Sequence, residues 1–241
     1  MSTIGNKVLD KLRLFDTPTI SNVIELFNVR PYTTGFMDKR ITACFPELPP
    51  TVGFASTVTC RTAIEPRGKN AYTSLPDQVE RFAELSGPPV VVFQDLDAPP
   101  LAATFGEIMC TTYKAFGAVG LITNGGGRDL EQVKAIKFPV FTNGAVCSHG
   151  YIQMLDVNIP VRVGGLVVYH NDLLHGDLNG ITTIPHEIAA DVADAADEFV
   201  AAEYIILNAL REDGITVEKL REATQETDKM IVTLRQRVVG K

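Results

Sequence analysis

The sequence predicts an α/β fold built on a parallel or mixed sheet, with a helical extension at its C-terminal end. Two short continuous apolar runs, Val90–Phe93 and Val119–Ile122, flank a stretch of helical character, the pattern of parallel strands covered on both faces. A β-rich stretch occupies 160–184, and beyond Pro185 the pattern turns strongly helical. Residues 1–185 are therefore expected to form the α/β domain with N-terminal helices. Residues 186–241 are expected to pack on it, or on a neighbouring subunit, as a helical extension.

Each element has a local cause. Asp16-Thr17-Pro18 reads as a cap followed by a helix-starting proline, and Ile20, Val23, Ile24 and Phe27 then recur at helical spacing. Residues 31–53 hold several Pro and Gly with little periodicity, which predicts an irregular loop. Ala55 to Thr62 is rich in β-branched residues and reads as a strand, and Glu65 to Ala71 as a polar, exposed connection. Val90–Phe93 is the next strand. Gly106 to Phe116 fits a helix with Ile108, Met109, Thr112 and Phe116 roughly on one side, followed by the strand at Val119–Ile122.

The chain continues through Asn124-Gly125-Gly126-Gly127 into a helix from Asp129 to Ile136 and a strand at Phe138–Phe141. Further strands are read at Val161–Val163, Leu166–Tyr169 and Ile181–Ile184, with Asn179-Gly180 as a turn between the last pieces. Ile188, Val192, Ala195, Phe199, Ala202 and Ile206 step by four and three, which places them on one stripe of a long helix. Residues 216–238 read as a second, charge-rich helix.

The bulk numbers narrow the function classes. With 241 residues, 45% of them hydrophobic and 21% charged, the chain has the balance of an ordinary globular protein. Its net charge of −7 and scattered basic residues argue against nucleic acid as a partner; Arg61, Arg67 and Lys69 form the densest basic group. Cys44, Cys60, Cys110 and Cys147 show no metal or disulfide spacing. No N-terminal run resembles a signal peptide and no apolar stretch approaches the ~20 residues of a membrane span, so the expected location is the cytoplasm, with no membrane contact. His149, His170, His175 and His186 lack HxxxH or HExxH spacing and are read as structural or surface residues.

Topology points to one place for chemistry. Two strands joined through a helix are normally parallel, so the N-terminus of the 106–116 helix must lie near the C-terminal end of the strand at 90–95. Gln94-Asp95, Gly106-Glu107 and the segment Asn124 to Asp129 then meet at one sheet edge, where open α/β sheets bind ligands. The backbone amides near Gly106, Ile108 and Met109 can cradle a carboxylate at the positive end of the helix. Arg128 offers a planar fork of donors to a carboxylate or enolate oxygen, and Asp129 a hard oxygen ligand for Mg²⁺ or Mn²⁺. Glu107 can act as a base or through a metal-bound water. Each residue also has a plain structural reading: Arg128-Asp129 as a salt bridge with an N-cap, Glu107 as a dipole-complementing acid, the glycines as a tight turn.

Ala103-Thr-Phe-Gly-Glu-Ile-Met109, Gly117-Ala-Val-Gly120 and Asn124-Gly-Gly-Gly-Arg-Asp129 resemble, in that order, the central signature of RraA-like proteins, the 4-hydroxy-4-methyl-2-oxoglutarate aldolase family. Gly53–Val58, Phe138–Phe141, Pro160–Gly165 and Asn171–Gly180 are similar to its other landmarks, so the likeness covers about residues 15–187. The resemblance implies a compact α/β fold of the swivelling-domain type that assembles as a homotrimer, sometimes stacked into a hexamer. It also implies a metal-dependent pyruvate aldolase and oxaloacetate decarboxylase acting on a small 2-oxo acid. In that reading Arg128 contacts substrate, Asp129 holds the metal, Glu107 works through a water, and the amides at Gly106, Ile108 and Met109 hold the pyruvyl carboxylate. The alternative it carries is a non-catalytic protein-binding regulator of ribonuclease activity. Two departures stand out: Ser21-Asn22 replaces a common Ser-Asp, and the helices beyond Pro185 exceed the length of short members.

Overall fold

The computed structural model describes residues 4–67 and 73–239. Along the chain come α1 (Asn6–Leu12), α2 (Thr17–Leu26), β1 (Thr42–Ala43), β2 (Thr51–Arg61), α3 (Leu75–Glu80), β3 (Pro89–Asp95), β4 (Ala103–Phe105), α4 (Glu107–Ala115), β5 (Gly120–Thr123), β6 (Gly126–Gly127), α5 (Leu130–Ala135) and β7 (Val140–Thr142). The second half adds β8 (Gln153–Val157), β9 (Val161–Val163), β10 (Leu166–Val168), β11 (Leu173–Asp177) and β12 (Gly180–Ile184), then the helices α6 (Ala189–Leu210) and α7 (Val217–Val239).

The main sheet is mixed, in the order β1-β7-β5-β3-β2-β11-β12, with β8 also paired to β2. Its centre, β2, β3, β5 and β7, is parallel, because each step between neighbours passes through a helical connection. The flanking pairs β1–β7, β2–β11, β2–β8 and β11–β12 are antiparallel. β2 is long enough to serve two partners along one side: Thr51–Phe54 pair with β11 and Val58–Arg61 with β8. Along its other side Phe54–Cys60 pair with β3. Every residue of β2 except Arg61 is buried, which is why its sequence is apolar or small and hydroxyl-bearing throughout.

Alternation within the strands divides the core. Val91, Phe93, Leu121 and Val140 point to one face and pack with Cys110 and Tyr113 of α4 and Val133 of α5. Val90, Val92, Ile122 and Phe141 point to the other face, which the β9–β10 ribbon covers through Val161, Val163 and Val168. A third cluster joins Val52, Phe54, Leu173 and Ile184 to α1, α2, α6 and α7. There the predicted stripe Ile188, Val192, Ala195, Phe199 and Ala202 is buried, with Ile206 at its half-exposed end. α6 packs against α1 and α2, and α7 against α6 and α2. Among the described residues no helix is long and apolar enough to cross a membrane.

Several local expectations need correction. The 31–53 stretch is not wholly irregular, since β1 lies within it and β2 begins at Thr51, directly after Pro49-Pro50. The side of α4 carrying Ile108 and Phe116 faces outward, these residues being 78% and 62% exposed. Cys110 and Tyr113 anchor the helix instead, and the Tyr113 hydroxyl donates to Gln78 Oε1 at 2.6 Å. Strands β8 and β11 were not anticipated. The polar connection expected at 65–71, and Lys69 with it, lies partly outside the described residues.

Candidate functional site

At the carboxyl end of the parallel strands, β4 and β6 form a small parallel ladder, Ala103 opposite Gly126 and Phe105 opposite Gly127. The ladder holds the start of α4 against the turn into α5, and the Arg128 amide donates to the Phe105 carbonyl at 3.1 Å. The glycine run permits this approach. A Cβ on Gly127 would collide with the Phe105 ring, and one on Gly125 with the Thr104 hydroxyl. The run is therefore a close-packing device and not a phosphate cradle.

The predicted residues Gly106, Glu107, Arg128 and Asp129 come together there. Asp129 Oδ2 accepts the backbone N–H of Glu107 at 3.1 Å and lies 3.7 Å from Arg128 Nε. A Cβ on Gly106 would stand 2.6 Å from Asp129 Oδ2 and 3.1 Å from Arg128 Nε, so only glycine fits at the head of α4. α4 has no cap from its own N-cap residue; the carboxylate 22 residues away in sequence does that work. Asp129 sits at φ 55°, in the left-handed region that Asp tolerates better than most residues. Arg128 and Asp129 side chains are each 35% exposed, and Glu107 and Ile108 lie at the surface, so the cluster is open to solvent. Ile108 and Met109 stand in the first turn of α4, where amides have no intrahelical acceptor.

Other expected contributors do not join this cluster. Asp95 is buried, accepting from the Thr62 hydroxyl at 2.9 Å and the Asp97 amide at 2.9 Å, and burial raises its pKa. Gln94 turns to the opposite sheet face, where its Oε1 accepts the Arg162 amide at 2.7 Å. Ser21 and Asn22 lie on α2, which packs on α6, α7, β11 and β12. Lys114, at the far end of α4, donates to the Ile136 carbonyl, and Lys134 pairs with Glu47 at 2.7 Å. His175 is structural: its Nε2 donates to the Leu12 carbonyl at 3.1 Å, leaving Nδ1 to accept from the Thr17 hydroxyl at 2.9 Å. The long-range cap by Asp129 was missed, and only the strand–helix–strand topology hinted at it.

Among the described residues no three His, Cys, Asp or Glu side chains form a group able to hold a metal ion. Of the two carboxylates at this place, Asp129 is held, its Oδ2 engaged by the Glu107 amide, while Glu107 is exposed to solvent. One protein carboxylate suits a hard ion such as Mg²⁺, which keeps most of its waters or takes oxygens from a ligand. The donor chemistry therefore fits a hard divalent ion and not a soft one that needs a protein cage.

The sequence profile of a protein family described as RraA-like, Aldolase/RraA, matches residues 17–183. A protein of Halalkalibacterium halodurans named "Putative 4-hydroxy-4-methyl-2-oxoglutarate aldolase" is 29% identical over 101 residues, 42% of this chain and 48% of that protein. The match thus spans about half the length of that relative. Among solved structures, a protein from Pseudomonas syringae pv. tomato aligns with a TM-score of 0.72 at 22% identity, covering 92% of this chain and 95% of that one. RraAS2 of Streptomyces coelicolor, described as an unusual member of the RNase ES inhibitor RraA protein family, aligns with a TM-score of 0.66 at 18% identity. It covers 88% of this chain and 100% of its own. These two likenesses establish a shared fold.

Proposed function

Since the chain belongs to the RraA-like family, we propose that it is a divalent-metal-dependent carbon–carbon lyase that releases pyruvate from a 4-hydroxy-2-oxo acid or from oxaloacetate. The observation that carries this reading is the meeting of Asp129, Arg128 and the start of α4 around Gly106, with Asp129 Oδ2 3.1 Å from the Glu107 amide. Support also comes from the name borne by the Halalkalibacterium halodurans relative.

Asp129 would hold Mg²⁺ or Mn²⁺, which supplies Lewis acidity to the substrate's C1 carboxylate and C2 carbonyl when bound. The first-turn amides of α4, at Ile108 and Met109, receive the carboxylate at the positive end of the helix. In cleavage of a 4-hydroxy acid, the C4 hydroxyl gives up its proton and the C3–C4 bond breaks. The electron pair passes through C3 to the C2 oxygen, and a proton then adds at C3 to give pyruvate. Loss of CO₂ from oxaloacetate delivers the same pair to the same oxygen, so one site serves both. Arg128 directs its guanidinium N–H groups at that oxygen as charge develops, an effect worth about 3–4 kcal/mol for a preorganised donor. Glu107, solvent-exposed beside the amides, moves the proton through a water. We take the working form to be a homotrimer or a hexamer.

The test is pyruvate release from oxaloacetate and from 4-hydroxy-2-oxo acids, with Mg²⁺, with Mn²⁺, and in EDTA. Metal-stimulated turnover that Arg128→Ala lowers by about a hundredfold or more is the expected result. Undiminished turnover in EDTA, or none with either substrate class, overturns the reading.

A further inference from the structure

The carboxyl edge of the sheet has a second side. Gln94 of β3 turns to the face opposite α4, and the residues that directly follow β5 and β7, Asn124 and Asn143, are carboxamides on the same side. A cleft of about 390 Å³ opens on this side, lined by Arg40, Ile41, Pro100, Asn124, Asn143 and Arg162. That volume lies in the range of small-molecule sites. None of the cleft's residues belongs to the Glu107–Arg128–Asp129 cluster.

The cleft is held in shape by bonds its polar groups already make. The Asn124 side chain accepts the Asp95 amide at 2.7 Å and donates to the Asp95 carbonyl at 2.9 Å, so it is fixed in orientation. Gln94 fixes the β9 backbone at Arg162. The Asp38 amide donates to the Gly164 carbonyl at 2.8 Å, closing the wall between the 38–41 turn and the tip of the β9–β10 ribbon, where Gly164 sits at φ 53°.

Two charged groups remain to be assigned. Arg40 grips Asp38 through Nε at 2.9 Å and Nη2 at 2.6 Å, so its charge is matched although part of its fork stays free. The guanidinium of Arg162 and the carboxamide of Asn143 have no side-chain partner among the described residues. Both residues are exposed and line the same cleft, and a cation with a free amide is the complement of a single negative charge with two acceptor oxygens. Ile41 and Pro100 supply an apolar wall for a short carbon skeleton.

We infer that this cleft is a second binding site, distinct from the lyase cluster, which takes a small organic monocarboxylate through Arg162 and Asn143. Propanoate is the suitable probe, because it carries the carboxylate and a short apolar tail but no 2-oxo group to chelate a metal. The full chain, ¹⁵N-labelled, is titrated with propanoate, and the side-chain signals of Arg162 and Asn143 are followed.

Both signals should move together with one dissociation constant, which Arg162→Ala raises about tenfold and Arg162→Lys raises less. Asn143→Ala should raise it to a smaller extent. Asp129→Asn and Arg128→Ala should leave it unchanged, which separates this site from the lyase reading. Inorganic phosphate should bind more weakly than propanoate, because the cleft offers one unmatched positive charge. The inference is overturned by saturation unaffected in Arg162→Ala, by shifts that centre on Arg128 instead, or by tighter binding of phosphate.

Discussion

α2 and α4 begin in opposite ways. The start of α2 is held several times over. Asp16 caps it locally, accepting the Thr19 amide at 2.8 Å, and Pro18 sits in the first turn. Thr17 is also tied to the sheet through its amide, which donates to Asp177 Oδ2 at 2.9 Å, and through its hydroxyl to His175. The start of α4 has no local cap and leans on one remote carboxylate, Asp129, which is also the proposed metal ligand. A structural helix start is thus insured by redundancy, while the one at the candidate site is coupled to the group proposed to do chemistry.

The sharpest way to break this contrast is at Asp129. Asp129→Ala should lower pyruvate release by at least about a hundredfold and also destabilise the fold, since it removes a cap and leaves alanine at a positive φ. Asp129→Asn sharpens the point. Asn tolerates the left-handed region and keeps an oxygen for the Glu107 amide, so urea midpoints should stay near wild type while turnover is still lost. Equal activity in Asp129→Asn would remove the carboxylate from the mechanism.

Gly106→Ala should come next. Its Cβ would meet Asp129 Oδ2 at 2.6 Å and must push the carboxylate or the helix tip aside. Steady-state assays should register about a ten- to hundredfold loss, and thermal unfolding a cost of about 1–3 kcal/mol.

A smaller effect tests the redundant end. Burial lowers the pKa of His175, opposed by the Leu12 carbonyl and by Asp177 and Asp16. The unfolded chain therefore takes up this proton first, near its ordinary value of about 6.5. The stability tied to His175 is complete above that pH and is lost as pH falls towards the folded-state pKa. Denaturation midpoints of wild type should drop between neutral and mildly acidic pH more steeply than those of His175→Gln; parallel slopes would contradict the assignment.

The smallest effect is expected at Asp16. Asp16→Ala should cost about 1 kcal/mol with turnover unchanged, because His175 and Asp177 still hold Thr17.

What the sequence revealed follows the range of the interactions. The β3–α4–β5 crossover was legible because Val90–Phe93 and Leu121–Ile122 are apolar in unbroken runs. The turn at Asn179-Gly180 was legible from its two residues, and α6 from the spacing of its stripe. β11 was not, since Leu-Leu-His-Gly-Asp places three residues poor in strand signal in a row. Its buried His175 and Asp177 are satisfied by Thr17, some 160 positions away, which donates to both. β8 is half-buried and depends on β2 for its register. At the candidate site, the strand–helix–strand topology pointed to the edge where Gly106, Glu107, Arg128 and Asp129 meet, but the cap of Glu107 by Asp129 spans 22 positions and leaves no local pattern. The three carboxamides of the opposite face did leave one, at or just past the end of each strand, and Gln94 was assigned to the wrong side for want of counting the alternation of β3 through.

β2 carries a consequence for how this chain can change length. It is paired along both sides at once, with β3 on one and with β11 and then β8 on the other. Adding or deleting one residue between Thr51 and Arg61 would exchange the side chains of its two buried faces against three neighbours together. Insertions there should yield insoluble protein, whereas the same insertion at the exposed Pro31–Thr34 bend, which no strand pairs, should be accommodated.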